Sequence, residues 1–206
     1  MPSPFNAVVL VNFSMRNTFF LTLLFTFLSF SGLAQQDAAL MARIDTMMKV
    51  TQASNFEKLL DYTYPKLFTI APRAQLVEAM KGGLETEEFS TTMDSVKVST
   101  VYPVFSLQAG QYAKIKHTML IRMKFKQPLS EAQVANVLPS MEEVFGKGNL
   151  RFDKANNTLV IFKLAEMVAV KDEYAKEWSF VTYNENDETV GLLFSKEVIA
   201  KLKEYK

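Results

Sequence analysis

The sequence predicts an α+β protein, with N-terminal helices packed on a strongly curved antiparallel sheet, an inserted helix, and a short C-terminal helix. Three observations carry that reading. Between Asp37 and Gly83 the apolar residues recur at three and four spacing, the period of one helix face. Past Phe89 the period changes to two, and turn signals separate short apolar runs, as antiparallel strands require. A block of helices followed by a block of hairpin-linked strands is the order of an α+β chain.

From Asp37 to Tyr64 there is no Gly or Pro, and Ile44, Met47 and Met48 are followed by Phe56, Leu59 and Leu60. This reads as one long helix or two short ones, with a capping box of Ser54 and Glu57 marking the break near Ala53. Pro65 lacks an amide hydrogen and ends the helix, leaving Tyr62 and Tyr64 in an aromatic corner. Pro72 suits the first position of a helix carrying Leu76, Val77 and Met80, which Gly82 and Gly83 terminate.

Val96 and Val98 begin the alternation, Pro103 interrupts it, and Gln108 to Gln111 form a hairpin turn. In I115-K-H-T-M-L-I-R-M-K-F125 the residues Ile115, His117, Met119, Ile121, Met123 and Phe125 share one face. Lys114, Lys116, Thr118, Leu120, Arg122 and Lys124 share the other. The pattern predicts a long strand half exposed to water, with His117 on the buried side. Ser130 with Gln133 opens the inserted helix, and Pro139 is expected to interrupt it, with a restart around Met141. Strands are expected at 149–152, 158–164, 167–170 and 178–183, then a polar hairpin tip at 184–188 and a returning strand at 190–194. Ser195 caps the last helix.

Residues 15–34 carry Arg16, an uncharged apolar run, then Gly32 and Ala34, which is the order of a cleaved export signal. Residues 1–34 are read as that signal, with 1–14 as an over-extended start, and 35–206 as one domain. The apolar run from Thr18 to Phe30 is short against the roughly 20 residues a membrane-spanning helix needs. No stable membrane span is expected after cleavage, and the compartment read from the signal is the periplasm or the outside of a Gram-negative bacterium. Removing residues 1–34 takes only Arg16 from the charge count and leaves 22 basic against 22 acidic residues. A neutral chain without a basic patch gives no field to recruit nucleic acid. The absence of cysteine excludes disulfides, thiolate nucleophiles and thiolate metal sites.

The segments L59-L-D-Y-T-Y-P-K-L-F68, the helix that follows Pro72, and M167-V-A-V-K-D running into W178-S-F-V resemble the nuclear-transport-factor-two-like superfamily. The resemblance covers roughly residues 38–206. It implies helices on a curved sheet forming a cone with an internal pocket, and a family in which isomerases and dehydratases sit beside members without catalysis. The helix from Ser130 to Phe145 departs from the simplest family pattern.

His117 is the only histidine, and a reference pKa of roughly 6.5 suits proton transfer near neutrality. The sequence pairs no second histidine or carboxylate with it, which favours a packed histidine over a catalytic one. Tyr62, Tyr64, Tyr102 and Tyr112, with His117, Met119 and Trp178, are the residues expected to line a pocket, and the nine methionines outside the leader suit an adaptable apolar cavity. N184-E-N-D-E-T189 lacks the glycine and distant glutamate of a calcium loop, and G146-K-G148 follows a helix instead of opening one. No metal or cofactor is expected. The leading expectation is an exported, non-enzymatic protein that binds a small apolar ligand or an envelope partner protein. The alternatives are a cofactor-independent isomerase or dehydratase using His117, and a structural subunit that pairs with a second copy.

Overall fold

The computed structural model describes residues 37–206. The expected export signal at 1–34 lies outside the described residues. Among the described residues six α-helices and six antiparallel strands make an α+β fold, as the sequence patterns predict, and the sheet does not close into a barrel.

Helix α1 runs Ala38–Gln52 and α2 Phe56–Leu59, so the break near Ala53 is real. Its chemistry differs from the expected capping box. Ser54 takes the left-handed backbone conformation, φ 50°, and Asn55 is the cap, its side chain accepting from the Lys58 amide. The short polar side chain of asparagine serves that role at least as well as serine. Pro65 starts a 3-10 turn over Pro65–Thr69, and α3 follows at Arg73–Gly82 with Pro72 as its cap residue.

Strand β1 spans Phe89–Val101, β2 Phe105–Leu107, β3 Gly110–Phe125, β4 Leu150–Asp153, β5 Thr158–Lys171 and β6 Ser179–Tyr183. The centre is the pairing of β3 with β5, in register from Gln111 opposite Lys171 to Lys124 opposite Thr158. β1 and β2 lie end to end along the outer edge of β3, and β4 and β6 lie end to end along the outer edge of β5. Two register shifts in β1, at Asp94 and Ser99, bend that edge as bulges do.

Three elements differ from the sequence expectation. The stretches 158–164 and 167–170 form one unbroken strand, β5, because Ala165 and Glu166 pair across to His117 and Lys116 despite their weak strand propensity. Helix α4, Glu131–Phe145, passes through Pro139 without a restart, with the predicted Ser130–Gln133 capping box formed at its start. Residues 190–194 are not a strand. Asp187 accepts from the Thr189 amide and caps helix α5, Glu188–Leu193, so β6 is the last strand. Ser195 caps the final helix α6, Lys196–Glu204, as expected.

The period-two alternation of β3 does separate two faces. One carries Ala113, Ile115, His117, Met119, Ile121 and Met123, matched on β5 by Ala169, Met167, Ala165, Lys163, Ile161 and Leu159. At one end of this face α1 packs through Leu40, Ile44, Met47 and Met48 on Ile115, Met167 and Phe180. At the other end α4 packs through Leu138, Met141 and Phe145 beside Met123, Leu159 and Ile161. The opposite face is not simply wet. Val190, Leu193, Val198 and Leu202 of α5 and α6 cover Tyr112, Val168, Val170 and Tyr183, and Lys114 beneath them is only 6 % exposed. Its ammonium pairs with Glu166 at 2.9 Å, donates to the Tyr205 carbonyl at 2.8 Å and sits 5.2 Å from the Tyr183 ring centre. A buried lysine is tolerable only with such partners. Beyond that cover the same face exposes Phe162 and Leu164.

The β2–β3 hairpin turns at Gln108 and Ala109, with Leu107 opposite Gly110. A Cβ on Gly110 would collide with the ring of Tyr112, which is buried and stacked on Phe105. Gly110→Ala is therefore expected to destabilise the fold by about 1–3 kcal/mol through overpacking, read as a lower urea midpoint at unchanged slope.

Candidate functional site

Beside α1, the middle of the first sheet face carries a cavity of about 330 Å³. Its floor is His117 and Met119 of β3 with Met167 of β5 and Phe180 of β6. Met47 and Thr51 of α1, Leu59, Tyr62, Thr63 and Leu67 of the following turns, and Met80 of α3 make one wall. Asp187, Thr189, Val190 and Leu193 make another. The wall is chiefly apolar, and four methionines supply unbranched, polarizable side chains that repack around different shapes.

The polar atoms on this wall are mostly spent on the fold. Thr51 donates to the Met47 carbonyl at 2.9 Å, and Thr63 donates to the Leu59 carbonyl at 3.3 Å. Asp187 accepts from the Thr189 amide at 2.8 Å, and those bonds hold its carboxyl below the usual carboxylate range. His117 differs. Its Nδ1 is buried and has no hydrogen-bond partner among the described residues. Burial, with the positive charge of Lys163 adding to it, pushes the imidazole pKa down, so the ring is neutral at physiological pH. No side-chain hydrogen bond of this ring is made among the described residues, and Nδ1 is the nitrogen that is enclosed. A general base would also need a group to orient it, and among the described residues none is bonded to Nδ1.

Of the residues expected at the pocket, Tyr62, His117 and Met119 line it. Arg43 lies over the Tyr62 ring, 4.3 Å from its centre. The other four are placed elsewhere. Tyr64 is buried against the opposite core, stacked on Phe194, and donates to Asp172 Oδ2 at 2.6 Å. Tyr112 packs between Phe105 and Phe194 in that same core. Tyr102 stacks on Tyr205 and donates to the Lys206 carbonyl. Trp178 is buried near α1, and its indole N–H donates to Asp37 Oδ2 at 3.0 Å while Asp37 caps α1. It borders a separate, polar groove with Arg43, Lys171 and Glu177. Met47, Met80 and Met167 belong to the cavity, and their helix and strand periodicities are the only sequence signal that placed them inward.

The fold and the cavity together define an α+β protein with an open antiparallel sheet and a methionine-walled cleft under its N-terminal helices. No protein-family model, curated protein or solved structure matches the chain. Among the described residues no group of histidines and carboxylates is arranged to hold a metal ion, and no helix is long and apolar enough to cross a membrane.

The burial of His117 has a thermodynamic consequence. Its folded pKa lies below the reference of 6.5, so the unfolded chain binds more protons once the pH falls through that reference. The native state is then expected to lose stability from about pH 6.5 downward until the folded ring also titrates, and to be indifferent to His117 above that range. Chemical denaturation of the wild type and His117→Asn across pH 5–8 checks this. The difference between the two stabilities should shrink or reverse on acidification and be flat above neutrality.

Proposed function

We propose that this is an exported, non-enzymatic protein that binds a small apolar ligand in the cavity above His117. The observation that carries the proposal is a cavity of about 330 Å³ walled by Met47, Met80, Met119 and Met167, with His117 on its floor. Ligand sites are of this kind: a concave apolar surface, at the low end of the usual size range of roughly 300–1,000 Å³, with few polar groups to fix orientation. The cone-forming superfamily that the sequence resembles supplies the same expectation of an internal pocket. The proton-transfer alternative draws no comparable support, since His117 lacks an orienting partner among the described residues. Export rests on the signal-like order of residues 15–34, and sequencing of the purified protein's N-terminus should begin at Gln35.

Native mass spectrometry of tag-free protein from its envelope fraction is the direct test, with a reproducible added mass on the folded chain as the expected outcome. A bare mass would remove the proposal's main support. A neutral reporter such as N-phenyl-1-naphthylamine should also fluoresce on binding. Met119→Trp, which fills the floor of the cavity, should reduce that binding at least tenfold with an unchanged circular dichroism spectrum.

Pairing with a second copy has one observation in its favour, the exposure of Phe162 and Leu164, 48 % and 57 %, on the sheet face beyond α5 and α6. Large apolar residues side by side on a sheet are a usual association surface. Sedimentation across a hundredfold concentration range should then show a dimer that Leu164→Glu dissociates, and a monomer throughout would dismiss it.

A further inference from the structure

The sequence shows no block of adjacent basic residues, yet the sheet brings cations from three strands to one face. Across β3 and β5, Thr118 is opposite Leu164, Leu120 opposite Phe162 and Arg122 opposite Val160, so these side chains share the face that α5 and α6 cover only at its far end. Phe162 and Leu164 are exposed there, and Leu120 is half-buried beside them. Lys97 of β1 is opposite Thr118 and Arg151 of β4 is opposite Val160, which makes them the diagonal neighbours of Leu120 and Phe162. Lys124 lies further along β3 on the same face. All three are exposed, and none forms an ion pair among the described residues. The nearby carboxylates are already engaged: Glu166 pairs with Lys114 and Lys116, Asp94 pairs with Arg122, and Asp153 accepts from the amide and side chain of Asn156. The result is a small apolar centre flanked by unpaired cations.

We propose that this face docks on an anionic lipid surface, with Phe162 and Leu164 entering the interface and Lys97, Lys124 and Arg151 set against the head groups. Charge complementarity selects that occupant. A second copy docked through the same face would bring like charges together, which opposes association. An acidic partner protein would satisfy the cations, but three apolar side chains are a small core for an interface that typically buries roughly 800 Å² per partner. A lipid surface demands less. A few inserted apolar side chains suffice when basic residues lay their aliphatic stems along the boundary and hold their charged heads at the phosphates. The contact is peripheral, with the sheet lying on the bilayer and not spanning it.

Cosedimentation of the tag-free protein with vesicles tests this. Vesicles of equimolar phosphatidylglycerol and phosphatidylcholine are expected to retain the protein at low salt, phosphatidylcholine alone is not, and molar salt should release it. Each cation near such a surface is worth roughly fivefold in partition coefficient, so Lys97→Gln, Lys124→Gln and Arg151→Gln together should weaken binding about a hundredfold. Phe162→Ser with Leu164→Ser, which leaves the charges in place, should weaken it at least about tenfold. All five side chains are exposed, and an unchanged circular dichroism spectrum verifies that each variant is folded. No binding to the anionic vesicles overturns the proposal, as does equal binding to both vesicle types or binding that the charge variant leaves unchanged. Capture on polyglutamate without vesicle binding gives the face to an acidic protein instead. A dimer that Leu164→Glu dissociates, again without vesicle binding, gives it to a second copy.

Discussion

The length of the β3–β5 ladder constrains everything else in the molecule. Sixteen residues of extended β3 reach roughly 50 Å, whereas a fifteen-residue helix such as α1 or α4 is about 22 Å long. No single helix among the described residues can cover a face of such a sheet. The apolar face is consequently divided between α1, which arrives before the strands in sequence, and α4, which is inserted between β3 and β4. The cavity sits beside α1 on that face, walled by α3 and α5 and not by α4. The edges follow from the same geometry, since β1 with the short β2, and the short β4 with β6, each share one long neighbour.

The second face answers the same constraint with less material. Helices α5 and α6 are six and nine residues long, and they cover only the end of the sheet formed by Tyr112, Val168, Val170 and Val181. Placing them there required burying Lys114, which stands between Tyr112 and Lys116 on that face. Desolvating an ammonium costs several kcal/mol unless partners replace water, and Glu166, the Tyr205 carbonyl and the Tyr183 ring do so here. Where the cover stops, Phe162 and Leu164 reach solvent. Residues 162–164 are thus exposed on both faces.

Much of this was legible in residue order. The alternation from Ile115 to Phe125 assigned His117 to the inward face because a strand's side chains must alternate, and no tertiary force can change that parity without a bulge. Ser130 and Ser195 were readable as caps since their side chains act on amides three residues away, an interaction the local sequence contains in full. Residues 184–194 were not readable. A polar cluster followed by V190-G-L-L-F194 has the local look of a hairpin and a strand. What makes α5 a helix is that Val190, Leu193 and Phe194 meet the core around Tyr64 and Tyr112, residues far away in the chain. The tyrosines failed as markers of the cavity for a related reason. Tyr64, Tyr102 and Tyr112 each stack their ring on an aromatic neighbour, but which side of the sheet that neighbour occupies depends on pairing and not on residue type.

The contrast between Lys114 and His117 separates the two interiors in physical terms. Both stand on β3, three residues apart and on opposite faces, and both bring a polar nitrogen out of water. The fold surrounds the lysine with an anion, a carbonyl and an aromatic ring, and in that interior it is the Tyr183 hydroxyl that has no hydrogen-bond partner among the described residues. Among the described residues it gives the histidine Nδ1 nothing, although the nearby turns and helices supply hydroxyls that are instead bonded to their own helix carbonyls. A single orphaned nitrogen in a packed core would be a defect worth roughly 1–3 kcal/mol. Beside an apolar cavity the same nitrogen is enclosed and reaches no occupant without a turn of the ring, so its cost belongs to the fold, and what the cavity offers is its apolar wall.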